Sequence, residues 1–214
     1  MQSTLACLCL ALCISSSFAA PLSAFKSIRE EALGSPPFCR GTPCPDYEVV
    51  KKTSNYELRK FEPTTWATVQ APGSYAKAST EGYAELYRYV DGANEEGQKL
   101  EGTKPLTLIF KAEDDYSKCE QNHTVAYYLV GKDEESAPKP TDANVKIFST
   151  GEKSAYVKSF SGFATESSIL SAAKDLSEEL SKDGIETSTT FFFALYDGPQ
   201  ILINRHNEVW LAEA

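Results

Sequence analysis

Tyr47-Glu-Val-Val-Lys-Lys52, a turn at Ser54-Asn55, and Tyr56-Glu-Leu-Arg-Lys-Phe61 form the stretch from which the fold is read. The alternating pattern around a polar turn predicts a β-hairpin, which residues 66–70 continue as strand. After Pro72-Gly73 the apolar period lengthens. Ser79, Tyr83, Leu86, Tyr87 and Val90 fall on one helical face that ends at Asp91-Gly92, so a helix with that face on a sheet is expected. Residues 106–111 and 124–130 read as strands separated by the charged loop 113–120. Beyond a Pro-rich joint, Pro138-Lys-Pro-Thr141, the order recurs. Strand-like runs at 145–148 and 155–160 flank a turn at Gly151, a helix covers about 165–182, and strands follow at 189–196 and 208–212. Ile169, Ala173, Leu176 and Leu180 form the second helix's buried stripe. Tyr47 matches Val145 and Tyr56 matches Ala155 at separations of 98 and 99 residues, which indicates a strand-strand-helix-strand-strand unit built twice about a pseudo-twofold. Neither unit can bury its helix stripe alone. The fold class is therefore α+β, one mixed sheet or distorted barrel flanked by two helices.

Working outward from that domain, residues 5–18 are almost wholly apolar or small, and no charged side chain precedes Lys26. The run is too short to span a bilayer, and Ser17 and Ala19 have the spacing a signal peptidase reads, so residues 1–19 are expected to be a signal peptide. Removal leaves about 195 residues, enough for one sizeable core. Residues 20–45 read as an arm, Pro- and Cys-rich toward its end, and 46–214 as the domain. The formal net charge of −9 lies wholly beyond the leader, which disfavours nucleic acid as a partner and suits a solvated acidic surface. No second apolar run approaches membrane-spanning length. The chain is expected to be secreted and extracellular.

Cys7, Cys9 and Cys13 leave with the leader, and Cys39, Cys44 and Cys119 remain. In an oxidising compartment three thiols give one pair and one over. Three pairings are open; Gly41 and Pro43 suit a tight loop and favour Cys39 with Cys44. Asn122-His123-Thr124 is a sequon, so Asn122 is expected to carry a glycan.

Five segments, in order, resemble the SOUL haem-binding family: residues 92–100 (GANEEGQKL), 138–142 (PKPTD), 156–163 (YVKSFSGF), 196–199 (YDGP) and 204–210 (NRHNEVW). The resemblance runs from about Asp46 to the C-terminus. It implies a distorted antiparallel barrel with two helices, and non-covalent binding of haem or another porphyrin, without catalysis, in an apolar cleft beside the first helix. It places Thr80, Tyr83 and Tyr87 of that helix and Ile201 of the facing 196–201 loop at the ligand. Thr80 and Ile201 depart from the pattern, since haem-binding relatives can set basic side chains there to meet the propionates. Lys77 and Arg88 are the remaining propionate candidates. Gly102 also departs, standing where the family commonly has Met.

Tyr83 and Tyr87, four residues apart, project from adjoining turns and suit a flat macrocycle; the plain alternative is packing against the sheet, the commoner fate of an aromatic stripe. Tyr89 lies on a different face and reads as surface or satellite packing. Of the two imidazoles, His206 is the candidate axial ligand, while His123 sits inside the sequon. Arg205, Asn207, Glu208 and Trp210 read as structural, with Trp210 as an anchor and Arg205 paired to Glu208. Cys119 and His123 are close but lack a third, orienting group, and no metal cluster, phosphate loop or nucleophile elbow is seen, so neither a catalytic residue nor a metal ligand set is expected. The rival reading is a protein-interaction module that kept the fold and lost the ligand.

Overall fold

The computed structural model describes residues 35–212 of the 214-residue chain; the expected signal peptide and the first part of the arm lie outside them. The strands are β1 (Tyr47–Lys52), β2 (Glu57–Phe61), β3 (Thr64–Pro72), β4 (Leu106–Lys111), β5 (Asn122–Tyr128), β6 (Lys146–Thr150), β7 (Lys153–Phe160), β8 (Thr190–Leu195) and β9 (Asn207–Leu211). Helix α1 (Tyr75–Val90) joins β3 to β4, and α2 (Glu166–Lys182) joins β7 to β8. The strands make one sheet in the order β1-β2-β7-β9-β8-β4-β5-β3-β6, and every neighbouring pair is antiparallel. No pairing joins β1 to β6 among the described residues, so the sheet curls into an open half-barrel. This bears out the α+β distorted barrel with two helices.

The duplication is present, but its register differs from the expected one. The strand order is symmetric about the β8–β4 seam, which equates β4 with β8, β5 with β9, β3 with β7 and β2 with β6. The starts of β3 and β7 are 89 residues apart, of α1 and α2 91, and of β4 and β8 84. The separations of 98 and 99 came from taking β1 as the unit's first strand. β1 is instead an extra edge strand, exposed from Glu48 to Lys52, whose hairpin alternation imitates the true first strand, β2. The first strand of each unit pairs in the other's half, β2 on β7 and β6 on β3, so neither half is complete without its twin.

Both helices lie on one face of the sheet, α1 over β3 and β5, α2 over β7 and β9. The stripe expected on α2 is the one observed: Ile169, Ala173, Leu176 and Leu180 are wholly buried. Thr165 begins the helix with a reciprocal capping box to Ser168, and Asp183-Gly184 ends it. On α1 the buried face is Tyr75, Ala78, Gly82, Leu86, Tyr89 and Val90. Leu86 and Val90 bury as expected, but Tyr83 and Tyr87 remain 42% and 48% exposed, whereas Tyr89, read as surface or satellite packing, is 1% exposed and belongs to the main core. The rotation has a steric cause. Ala78 and Gly82 bring α1 so close to the sheet that a Cβ at Gly82 would stand 2.5 Å from Val125 Cγ2, which leaves no room for a ring at that level. Tyr89 fits lower down because its hydroxyl donates to the Pro138 carbonyl at 2.7 Å.

The opposite face is closed by the arm. A single 3-10 turn, Pro37–Cys39, precedes the Cys39–Cys44 disulfide, the favoured pairing, and Cys119 is left as a free thiol. Phe38 stacks on the His206 ring at 3.8 Å between centroids, and Arg40 pairs with Asp197 at 2.9 Å. Ordered structure thus starts before Asp46. Beneath the arm Arg59 of β2 meets Glu208 of β9 at 3.0 and 3.1 Å, and both are buried. Glu208 also accepts from Tyr196, at 3.0 Å, and Trp210, at 2.8 Å. The expected Arg205–Glu208 pair does not form. Arg205 instead donates to the carbonyls of Asp197, Gly198, Ile201 and Gly162, which moulds the β8–β9 loop.

Candidate functional site

Helix α1 turns an outward face to solvent that carries Lys77, Thr80, Tyr83 and Tyr87. The two tyrosine rings lie 5.7 Å apart and tilted by 34°, a broad aromatic surface that packs nothing in the core. Tyr83 is the more enclosed. Partial burial, and the nearby hydroxyls of Tyr127 and Tyr87, raise its pKa above the usual phenol range. Thr80 turns its hydroxyl back to the Ala76 carbonyl at 2.9 Å and offers no charge.

The floor beside Tyr83 is built by residues far away in sequence. The Tyr127 hydroxyl of β5 accepts from the Thr103 backbone at 2.9 Å, and the Thr103 hydroxyl donates to the Tyr128 carbonyl at 2.6 Å. Sheet register explains why this segment lies next to the β8–β9 loop. Leu106 is paired with Tyr127 on one side and Leu195 on the other, so residues 102–105 and 196–201 meet the sheet at one end. Lys104 Nζ stands 3.8 Å from Asp197 Oδ1 across that gap. Ile201 is fixed within the loop by its amide to Gly198, at 3.1 Å, and by Arg205 on its carbonyl, at 2.6 Å.

Lys77 stays on the outward face of α1, and the other expected residues separate from it. Lys77 is exposed and lies 3.8 Å from Glu81. Arg88 lines a cleft of about 410 Å³ on another flank of α1, with Glu85, Tyr89, Thr141, Asp142 and Val145. His206 Nε2 is committed to Glu208 at 2.8 Å, within the cluster under the arm, and its ring is covered by Phe38. Lys99, which sequence reading missed, is the cation beside Tyr87: Asp91 holds it at 2.8 Å and raises its pKa. Asn94 of the family-like 92–100 segment sets Lys99 there. Its buried side chain bonds the Tyr89 and Gln98 carbonyls at 3.2 and 2.7 Å and the Gln98 amide at 2.9 Å, turning the chain back along the helix end.

The chain is thus a duplicated α+β half-barrel whose first helix turns an aromatic face to solvent beside Tyr127 and the 102–105 segment. The profile of the SOUL heme-binding protein family matches residues 42–212, and the chain belongs to this family. It is 28% identical over 162 residues to heme-binding protein 2 of Homo sapiens, covering 74% of this chain and 78% of that one. To heme-binding protein 1 of Mus musculus it is 28% identical over 166 residues, or 77% and 87% of the two chains. Among solved structures it is similar to the C-terminal domain of EcmrR, with a TM-score of 0.55 at 10% identity over 78% of this chain and 98% of that one. A hydrolase from Listeria innocua gives 0.52 at 13% identity over 77% and 94%. At these identities the likeness is one of fold.

Proposed function

We propose that the chain is an exported, non-catalytic binding protein for haem or a closely related porphyrin, which lies on the outward face of α1. The observation that carries this reading is the exposed Tyr83–Tyr87 pair, the part of α1 that the core does not use. Membership of a family whose relatives are named for heme binding supports it. Two stacked aromatic contacts contribute about 0.5–1.5 kcal/mol each beyond the area they cover, together roughly five- to 150-fold in affinity. Lys99 beside Tyr87 and Lys77, six residues before Tyr83 on the same face, are the cations to meet the propionates. The ring residues fit a flat macrocycle, and haem bound there would supply an iron centre. No imidazole accompanies the tyrosines, because His206 is held by Glu208 and His123 is wholly buried. The iron ligand left to this face is a tyrosine oxygen, and the raised pKa of Tyr83 disfavours its phenolate, so stacking on the macrocycle carries the binding.

Titration with hemin, followed in the Soret band, and with iron-free protoporphyrin IX, followed by fluorescence, tests this. Saturable binding of both with similar affinity is expected. If neither binds, the reading fails, and a protein-contact role for exposed Leu202 and Ile203 of the β8–β9 loop takes its place. Export is supported by the Cys39–Cys44 disulfide and by exposed Asn122 at the start of β5. The mass of the secreted chain before and after removal of N-glycans checks the leader and the sequon together.

A further inference from the structure

We propose that Cys119, His123 and Glu166 form a second site, distinct from the porphyrin ledge, that takes one borderline divalent cation of the zinc class. The three come together where the helices begin. Alternation along β5 sends Asn122 outward and His123 inward, the reverse of a histidine crowded by a glycan. Cys119 ends the 113–120 loop, which an isolated bridge to Ala112 pins beside the sheet. Glu166 opens α2 and accepts from the Tyr75 amide, in the first turn of α1, at 3.3 Å. One ligand atom from each of the three side chains lies within 4.8 Å of the others.

His123 is what points to a ligand. It is 0% exposed, Phe110 lies 4.6 Å from its ring, and neither ring nitrogen has a hydrogen-bond partner of ordinary geometry. Buried imidazoles are normally satisfied, and the one polar group beside this ring outside the trio is the Ile109 carbonyl, which can orient one nitrogen while the other faces a thiol and a carboxylate as an electron-pair donor without an acceptor. Thiolate, imidazole and carboxylate are the three protein ligand types of zinc, at about 2.3, 2.0 and 2.1 Å from the metal. The trio must contract by roughly 1 Å to reach those distances, and it leaves a fourth position open. Gln121 supplies outer support: its amide nitrogen lies 3.7 Å from Cys119 Sγ and 3.3 and 3.4 Å from the Glu166 oxygens. On binding, the Cys119 S–H bond breaks, the sulfur–metal bond forms, and the proton leaves to solvent. Glu166 and the thiolate together balance the two positive charges.

The sequence hid this site. Cys119 and His123 are four residues apart in the chain, but the group that completes them enters from α2 and carries no motif.

Cobalt is the probe, because a thiolate on Co²⁺ gives an intense charge-transfer band. Co²⁺ added to the purified protein should produce that band, saturating at one equivalent, and Zn²⁺ should abolish it. Cys119→Ser should lose the band, and His123→Gln should weaken Co²⁺ binding at least tenfold. Zn²⁺ should also protect Cys119 from alkylation by iodoacetamide in the wild type and not in His123→Gln, a readout that needs no spectrum. Far-UV circular dichroism and the protoporphyrin titration report folding, and both should be unchanged in Cys119→Ser. A wild-type protein with no charge-transfer band, or a His123→Gln protein with unchanged Co²⁺ affinity and unchanged protection, overturns the proposal.

Discussion

Helices α1 and α2 occupy equivalent places in the two halves of the barrel, yet they show solvent different chemistry. At a separation of 91 residues, Tyr83 and Tyr87 of α1 correspond to Lys174 and Glu178 of α2. Helix α2 keeps to the ordinary division, with aliphatic residues in and charges out. Helix α1 turns Tyr75, Ala78, Gly82, Leu86, Tyr89 and Val90 to the core and leaves the rings of Tyr83 and Tyr87 outside. The fold demands only the buried stripes. What lies on the outer face of α1 is free of that demand, and the proposed binding site is read from this excess.

The largest effect that would sharpen the contrast is truncation of the α2 stripe. Leu176→Ala removes a wholly buried side chain and should cost about 2–5 kcal/mol in urea unfolding. Next is Gly82→Ala, which pushes a methyl into Val125 and should cost about 1–3 kcal/mol even though alanine is the better helix former. Stability unchanged or raised would mean that α1 is not seated as closely as described.

Acid should melt both helices together, because the buried carboxylates of the second half, Glu208 and Asp197, pair with cations from earlier in the chain, Arg59, Arg40 and Lys104. Burial pushes the Glu208 carboxyl up, but the His206 hydrogen bond and the Arg59 charge outweigh it and hold the pKa below the usual value. Asp197 is likewise lowered, burial being overcome by Arg40, the His206 amide and Lys104. A depressed folded pKa gives stability that is complete above the ordinary carboxylate range and lost as pH falls below about 4. One transition by circular dichroism and tryptophan fluorescence is expected there; separate transitions for the two probes would uncouple the halves. The smallest stability effect is reserved for Tyr83→Ala and Tyr87→Ala, expected within about 0.5 kcal/mol of wild type because both rings are half-exposed.

These helices also show which parts of the fold are legible in the chain. On α2 only aliphatic positions are apolar, so periodicity identifies the buried face without ambiguity. On α1 tyrosine is apolar enough to join a stripe and polar enough to leave it, and the close approach at Gly82 that decides the matter belongs to the partner strand. The Cys39–Cys44 loop was readable because it is short and local. Lys99, Tyr127 and Thr103 were not, since strand register and the turn at Asn94 bring them to the ledge. Arg205 was given the wrong partner for the same reason: Glu208 is claimed by Arg59, about 150 residues earlier, across two strand pairings.

The most direct measurement is a hemin titration of three proteins side by side: wild type, Tyr83→Ala/Tyr87→Ala, and Lys174→Tyr/Glu178→Tyr. Saturable binding by the wild type, at least tenfold weaker in the first variant and no stronger in the second, is expected if the outer face of α1 and its ledge form the site. Undiminished binding after loss of the α1 tyrosines would contradict it.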